Sequence, residues 1–201
     1  MTAQRRVRLF FDYISPYAYL LASRIEGFRQ RSGAEVEWVP IRLLGLSNFS
    51  AGAPYSPNRI KYTYADVPRS ADVYGVPIRK PSTFPIQSDR ALQLAAVTRH
   101  LPEFPALNRA LFAAGWAHDR DLSDQDVLAS CLRGADLDAA QFISLAGSPE
   151  AAHALRELTD AAERLGVFGV PTIAVEDELF WGNDRLPFVE WRLTGRVGPA
   201  A

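Results

Sequence analysis

Hydrophobic and polar positions alternate over residues 6–12, with Val7, Leu9 and Phe11 on one face, a period of two that predicts a β-strand. The period then changes. Ser15 is a good N-cap and Pro16 a good first helical residue, and Leu21, Ile25 and Phe28 follow at helical spacing on one face. Gly33 is expected to end that helix, and residues 36–40 read as a second strand. This is a βαβ unit, whose crossover is nearly always right-handed.

Residues 45–60 are rich in Gly, Ser, Pro and Asn and are expected to form a loop. Helical patterns dominate from about 58 to 166, with one stripe of Leu94, Val97 and Leu101 and another of Leu107, Leu111 and Ala114. Ser123 with Asp126 resembles a capping box ahead of Val127 and Leu128. Ser148-Pro149 opens a further helix that Gly166 closes. Strand character returns at 172–175 and 179–181, flanking Glu176-Asp177-Glu178, an expected hairpin. Gly182-Asn183-Asp184 then leads into a last helix with Leu186, Val189 and Leu193 inward. The order is β-α-β, a helical stretch, then β-β-α, an α/β chain without internal repeats or low-complexity tracts. Residues 198–201 are expected to be a frayed tail.

The 201 residues are 48% hydrophobic, which suits one compact domain or a domain with a large insertion. Twenty-two basic and 23 acidic side chains leave a formal charge of −1, so no basic excess points to nucleic acid or an anionic membrane. No apolar run approaches the ~20 residues that span a bilayer. The start of the chain has no long apolar segment followed by a small-residue cleavage site. A single cysteine, Cys131, forms no internal disulfide, which fits a reducing, cytoplasmic setting. The sequon at Asn48 is then incidental.

Ser15 is the main candidate for chemistry. At a helix start, free N–H groups favour an anion, and a hydroxyl adds a hydrogen bond to a thiolate. The plainer role is a helix cap. Serine as nucleophile needs a base in reach, and the three histidines, His100, His118 and His153, all fall in the helical region without a Gly-x-Ser-x-Gly elbow at Ser15. Val170-Pro171 is the second candidate: a cis bond there would turn the backbone to pair with an extended ligand, and a trans proline would only start a strand. Asn183 and Asp184 either cap the last helix or bind an ammonium or amide of a ligand. A strand-to-helix Ser-Pro turn with a distant Val-Pro entering a strand points to a thioredoxin-like site lacking its own sulfur. A bound thiol cofactor would supply it. Cys131 reads as a small buried hydrophobe, and no zinc spacing is present, so no metal is expected. Tyr13, Tyr17, Tyr19, Phe10 and Phe11 cluster around Ser15 and Trp181 precedes the Gly-Asn-Asp turn, so an aromatic-lined cleft would suit an aromatic substrate. Arg42, Arg59 and Lys61 either meet a carboxylate or are solvated surface charge.

The stretches FDYISPYAYL, RSADVYGVP, TFPIQSDRAL, GWAHDRDLSD and GVFGVPTIAVEDELFWGNDRL together resemble the 2-hydroxychromene-2-carboxylate isomerase family, kin of kappa-class glutathione transferases and DsbA-type oxidoreductases. The resemblance runs from about residue 7 to 193. It implies a thioredoxin-like fold made of residues 1–45 and 166–201, with an inserted helical domain at 46–165. It implies glutathione as a cofactor, an aromatic 2-oxo acid substrate, a role in aromatic catabolism and a homodimer. Ser15 matches the serine that faces the glutathione sulfur, and Pro16 and Tyr17 complete its turn. Val170 matches the residue before the cis proline, Pro171. Asn183 and Asp184 match the turn that holds the γ-glutamyl end. Tyr62, Asp66 and Arg69, with Trp181, are implied to line the substrate side. Two positions depart from the pattern: Ala53 stands where relatives carry an asparagine, and Gln87 replaces the asparagine of an FPIN stretch. The implied reaction is reversible thiolate addition that lets a conjugated double bond rotate. A kappa-type transferase and a thiol-peptide binding module stand as alternatives. A dithiol oxidase is disfavoured, because Ser15 and Ala18 occupy the two cysteine positions.

Overall fold

A computed structural model describes residues 5–50 and 56–195. Ala53 and the 198–201 tail lie outside the described residues. Four strands form one sheet, β1 (Arg6–Phe11), β2 (Glu35–Pro40), β3 (Thr172–Val175) and β4 (Glu178–Trp181), in the spatial order β2-β1-β3-β4. β1 and β2 are parallel, with Leu9 opposite Trp38, and β3 is antiparallel to β1, with Ile173 opposite Leu9. β3 and β4 form the expected hairpin, in which Glu178 already belongs to the second strand. Glu176, at φ 56°, takes the positive angle that a two-residue turn requires. The alternation along β1 sorts its side chains: Val7, Leu9 and Phe11 enter the core shared with the helices, and Phe10 packs on the opposite face with Val39, Ile41, Val170 and Ala174.

The single helix expected after β1 is two helices, α1 (Pro16–Ala22) and α2 (Ile25–Ser32). The break has a local cause. The Ser23 hydroxyl donates back to the Tyr19 carbonyl at 2.9 Å, a bond of the kind that bends helices. Arg24 then turns away, its guanidinium 3.8 Å from the Tyr74 ring centroid. Gly33 closes α2 in the left-handed conformation, as its sequence position predicts. The stretch expected to be loop is partly helical: a 3-10 turn (Leu43–Gly45) and α3 (Ser47–Ser50) fold there because Leu43 and Leu46 are buried against the Phe10 face.

The helices that follow are α4 (Pro57–Tyr74), α5 (Asp89–Thr98), α6 (Phe104–Trp116), α7 (Gln125–Gly134), α8 (Ala139–Ala146) and α9 (Pro149–Arg164), with α10 (Leu186–Thr194) after the hairpin. On α5 the buried residues are Ala91, Leu92, Leu94, Ala95, Ala96 and Thr98; Val97 is only half-buried and Leu101 lies beyond the helix end. Leu94 of the expected stripe is fully buried, and Leu92 and the alanines widen the buried face around it. The cap of α7 is Asp124, whose carboxylate accepts from the Asp126 N–H at 2.8 Å, while Ser123 donates to Asp121 instead. Leu107, Leu111 and Ala114 of α6 are buried as their spacing predicts.

An aromatic cluster ties the end of β1 to α6. Tyr13 and Phe112 have ring centroids 4.7 Å apart, and Phe11 meets Trp38 edge-on at 5.7 Å. The Tyr13 hydroxyl donates to Asn108 Oδ1 at 2.7 Å, and the Trp116 indole N–H donates to the Tyr13 carbonyl at 2.8 Å. These bonds fix the chain two residues before Ser15. Among the described residues no helix is long and apolar enough to cross a membrane, and no cluster of His, Cys, Asp or Glu could hold a metal ion.

Candidate functional site

The turn between β1 and α1 is built on Asp12, a residue the sequence reading passed over. Its buried carboxylate accepts from the Ile14 N–H at 3.0 Å, the Ser88 hydroxyl at 2.8 Å and the Leu43 N–H at 2.8 Å. One side chain thus joins the turn, the 3-10 segment and the start of α5. Burial pushes its pKa up to about 6 against the opposing pull of those three hydrogen bonds, with Asp89 nearby adding to the rise. An aspartate two residues ahead of the N–H it accepts is an Asx-turn signal that the sequence does display.

The same turn sets Ser15. Its N–H donates to the Asp12 carbonyl at 3.1 Å, and its Oγ accepts from the Ala18 N–H at 3.2 Å, so Ser15 caps α1 as predicted. Ser15 Oγ also donates to the Val170 carbonyl at 3.3 Å, a long bond for a hydroxyl donor. Ser15 is 7% exposed. Two candidates that are 155 positions apart in the chain therefore touch.

The Val170–Pro171 bond is cis, and so is Phe84–Pro85, which the sequence reading did not single out. The Pro171 carbonyl accepts from the Gly182 N–H at 3.0 Å, and the Thr172 hydroxyl donates to the Gly169 carbonyl at 2.7 Å. Gly169 lies hard against Trp181: a Cβ there would sit 2.8 Å from the indole nitrogen. Phe168 and Trp181 are both about half exposed, with ring centroids 5.0 Å apart, and the Arg59 guanidinium is 5.8 Å from the Trp181 ring. These aromatics form an apolar rim beside the Val170 turn.

Asn183 and Asp184 do not cap the last helix. The cap position of α10 is Arg185, which makes no side-chain capping bond. Asp184 pairs with the Arg185 guanidinium at 2.6 Å. Asn183 is 8% exposed, and its Oδ1 has no hydrogen-bond partner among the described residues. Gly182, at φ 122°, holds the turn in a region closed to other residues, and a Cβ there would meet Asp184 Oδ1 at 2.8 Å.

Tyr17 donates to Asp66 Oδ2 at 2.7 Å and Tyr62 donates to Asp66 Oδ1 at 3.0 Å, so α4 is tied to the start of α1. Burial, and then the bond to Asp66, hold the Tyr17 hydroxyl well above the usual phenol range, so it stays protonated. Arg69 is exposed, its charge acts on the Tyr62 hydroxyl, and it lines an open groove of about 700 Å³ at the end of α4. Gln87 is exposed. Arg42 is held by a two-point pair with Asp89 at 2.9 Å, and Lys61 lies on the surface. Cys131 is buried and its thiol pKa is pushed up by burial, which fits an inert role.

A four-stranded sheet, a capped Ser-Pro turn and a cis proline against it define a thioredoxin-like protein. Residues 6–194 match the model of the DSBA-like thioredoxin domain, and the chain belongs to that family. Along nearly its whole length it is 30% identical to the 2-hydroxychromene-2-carboxylate isomerase of Sphingobium xenophagum, covering 92% of this chain and 96% of the relative. It belongs with these enzymes. A solved structure of 2-hydroxychromene-2-carboxylate isomerase superposes with a TM-score of 0.84 at 27% identity over 94% of both chains. The chain is also 28% identical to glutathione S-transferase kappa 2 of Caenorhabditis elegans, over 94% of this chain and 92% of that one.

Proposed function

We propose that this protein binds glutathione at the Ser15–Val170 junction and uses it to interconvert 2-hydroxychromene-2-carboxylate and trans-o-hydroxybenzylidenepyruvate, or a similar aromatic 2-oxo acid. The observation that carries the reading is the contact of Ser15 Oγ with the Val170 carbonyl, which puts an N-capping hydroxyl beside the residue preceding the cis Pro171.

The residues fit a small thiol peptide. The orphaned Asn183 Oδ1 is an acceptor that a ligand ammonium or amide would satisfy. Gly169 lets the chain pack close to Trp181, and Gly182 takes a positive φ that side chains rarely adopt. Ser15, Pro16 and Tyr17 would hold the sulfur end, Val170 and Pro171 the peptide, and Asn183 and Asp184 the γ-glutamyl end. Bound glutathione supplies a nucleophilic thiolate able to add reversibly to a conjugated carbon and so free a double bond to rotate. Ser15 donates its hydroxyl hydrogen to the anion in exchange for its long bond to Val170, and is not itself the nucleophile. Tyr17 and Tyr62 both donate to Asp66 and hold its carboxylate in place on α4. Phe168 and Trp181 offer an apolar wall for an aromatic ring and shield the reaction from water. Tyr62, Asp66, Arg69 and Trp181 make up the proposed substrate side. The reading includes a homodimer in the cytoplasm, on the strength of the family likeness.

A second reading, conjugation of glutathione to an electrophile, is favoured by the 28% identity to a kappa transferase. Turnover separates the two. With 2-hydroxychromene-2-carboxylate and a fixed amount of glutathione, isomerisation should proceed with no net loss of free thiol. Stoichiometric thiol loss would select the transferase, and glutathione binding without turnover of either kind would leave a binding module.

A further inference from the structure

We infer that Arg24, in the break between α1 and α2, is a positioning residue that sets the Asn183 turn for the γ-glutamyl end of the ligand. The inference rests on the glutathione reading above and adds a selectivity determinant to it.

The turn from Gly182 to Arg185 is thinly held. At one end the Gly182 N–H reaches the Pro171 carbonyl at 3.0 Å. Across the turn the Arg185 N–H meets the Gly182 carbonyl at only 3.4 Å, and no side chain caps the helix that follows. The middle of the turn is fixed from elsewhere. Arg24 Nη1 donates to the Asn183 carbonyl at 3.1 Å, a charge-assisted bond, while the same guanidinium lies 3.8 Å from the Tyr74 ring centroid. Arg24, 159 positions from Asn183 in sequence, therefore clamps it to the end of α4. Holding the carbonyl fixes the peptide and with it the Cα–Cβ direction of Asn183, and burial confines the rest of a side chain whose Oδ1 has no hydrogen-bond donor among the described residues. An acceptor left unpaired but held in one orientation is a preformed receptor for an N–H group, at no ordering cost when the ligand arrives. The α1–α2 break is what allows this, because it aims the Arg24 side chain sideways toward the turn.

Arg24 lies at the opposite end of α1 from Ser15, so its effect should be confined to ligands that carry a γ-glutamyl group. The test is a cycle of two proteins and two ligands: wild type and Arg24→Met, each titrated calorimetrically with glutathione and with cysteinylglycine, which lacks that group. Arg24→Met should bind glutathione about tenfold more weakly, the effect of losing one charge-assisted bond, and should bind cysteinylglycine as wild type does. Arg24→Lys should recover only part of the loss, since an ammonium does not reproduce the flat stack on Tyr74. An equal loss for both ligands would make Arg24 a general structural residue and overturn the inference, as would unchanged glutathione affinity in Arg24→Met. Absence of glutathione binding to the wild type would instead remove the parent reading, and this inference with it.

Discussion

Replacing Asp12 with asparagine should change how the stability of this protein depends on pH. The Asp12 carboxyl is 1% exposed, and burial raises its pKa from 3.8 to about 6. Each tenfold change in proton affinity is worth about 1.4 kcal/mol, so the rise corresponds to about 3 kcal/mol. The folded state holds this proton more tightly than the unfolded chain does. The contribution is therefore fully present below pH 3.8 and is lost as pH rises through about 6. Above that, the folded protein carries a buried carboxylate whose three hydrogen bonds do not offset its desolvation. Asparagine cannot titrate. It also turns an amide N–H toward the Leu43 N–H, or toward the Ile14 N–H and Ser88 hydroxyl together, a fixed cost of about 1–2 kcal/mol that does not vary with pH. Urea unfolding from pH 3.5 to 7.5, followed by tryptophan fluorescence, gives the difference between wild type and Asp12→Asn. The other carboxylates titrate in both proteins and cancel. Wild type should lose about 3 kcal/mol relative to the variant across that window. Parallel curves would show that Asp12 ionises in the fold as freely as in the unfolded chain.

Three other changes test the framework. Phe112→Ala removes the ring that meets Phe11, Tyr13 and Tyr19 in the core, and should cost about 3–5 kcal/mol in chemical unfolding. Gly182→Ala combines a φ of 122° with a Cβ 2.8 Å from Asp184 Oδ1; it should lower stability by about 1–3 kcal/mol and weaken glutathione binding, read by calorimetry. Ser15→Ala loses the α1 cap and should cost about 1 kcal/mol in stability while isomerase turnover falls far more steeply. Turnover equal to wild type would remove Ser15 from the mechanism.

What the sequence displays well is what rests on local chemistry. The alternation of β1, the Ser15-Pro16 helix start, the Gly33 and Gly166 stops and the β3–β4 hairpin are all legible, since each depends on a few adjacent residues. The missed features are set by distant partners. The helix breaks at Ser23 and Arg24 because Arg24 reaches Tyr74 and Asn183, and no local propensity reports that. The 43–50 segment turns helical because Leu43 and Leu46 find the sheet face. The α5 face takes in Leu92 and small residues such as Ala91 and Ala95, whose burial depends on the helices packed around them. At the site, the pairing of Ser15 with Val170 was legible as two separate signals, and their contact only in three dimensions. Asn183 and Asp184 are good capping types by composition, yet the fold leaves Asn183 Oδ1 unpaired and spends Asp184 on Arg185. Asp12 was overlooked because an aspartate at a strand end looks like a solvated turn residue until Ser88 and Leu43 close over it.

A structure of the protein soaked with reduced glutathione measures most directly whether the chain borrows its sulfur from a bound peptide. Density for the tripeptide is expected along the Val170–Pro171 backbone, with its sulfur within hydrogen-bonding distance of Ser15 Oγ and its amino end at Asn183. A tripeptide seated elsewhere, or a sulfur facing away from Ser15, would contradict that placement.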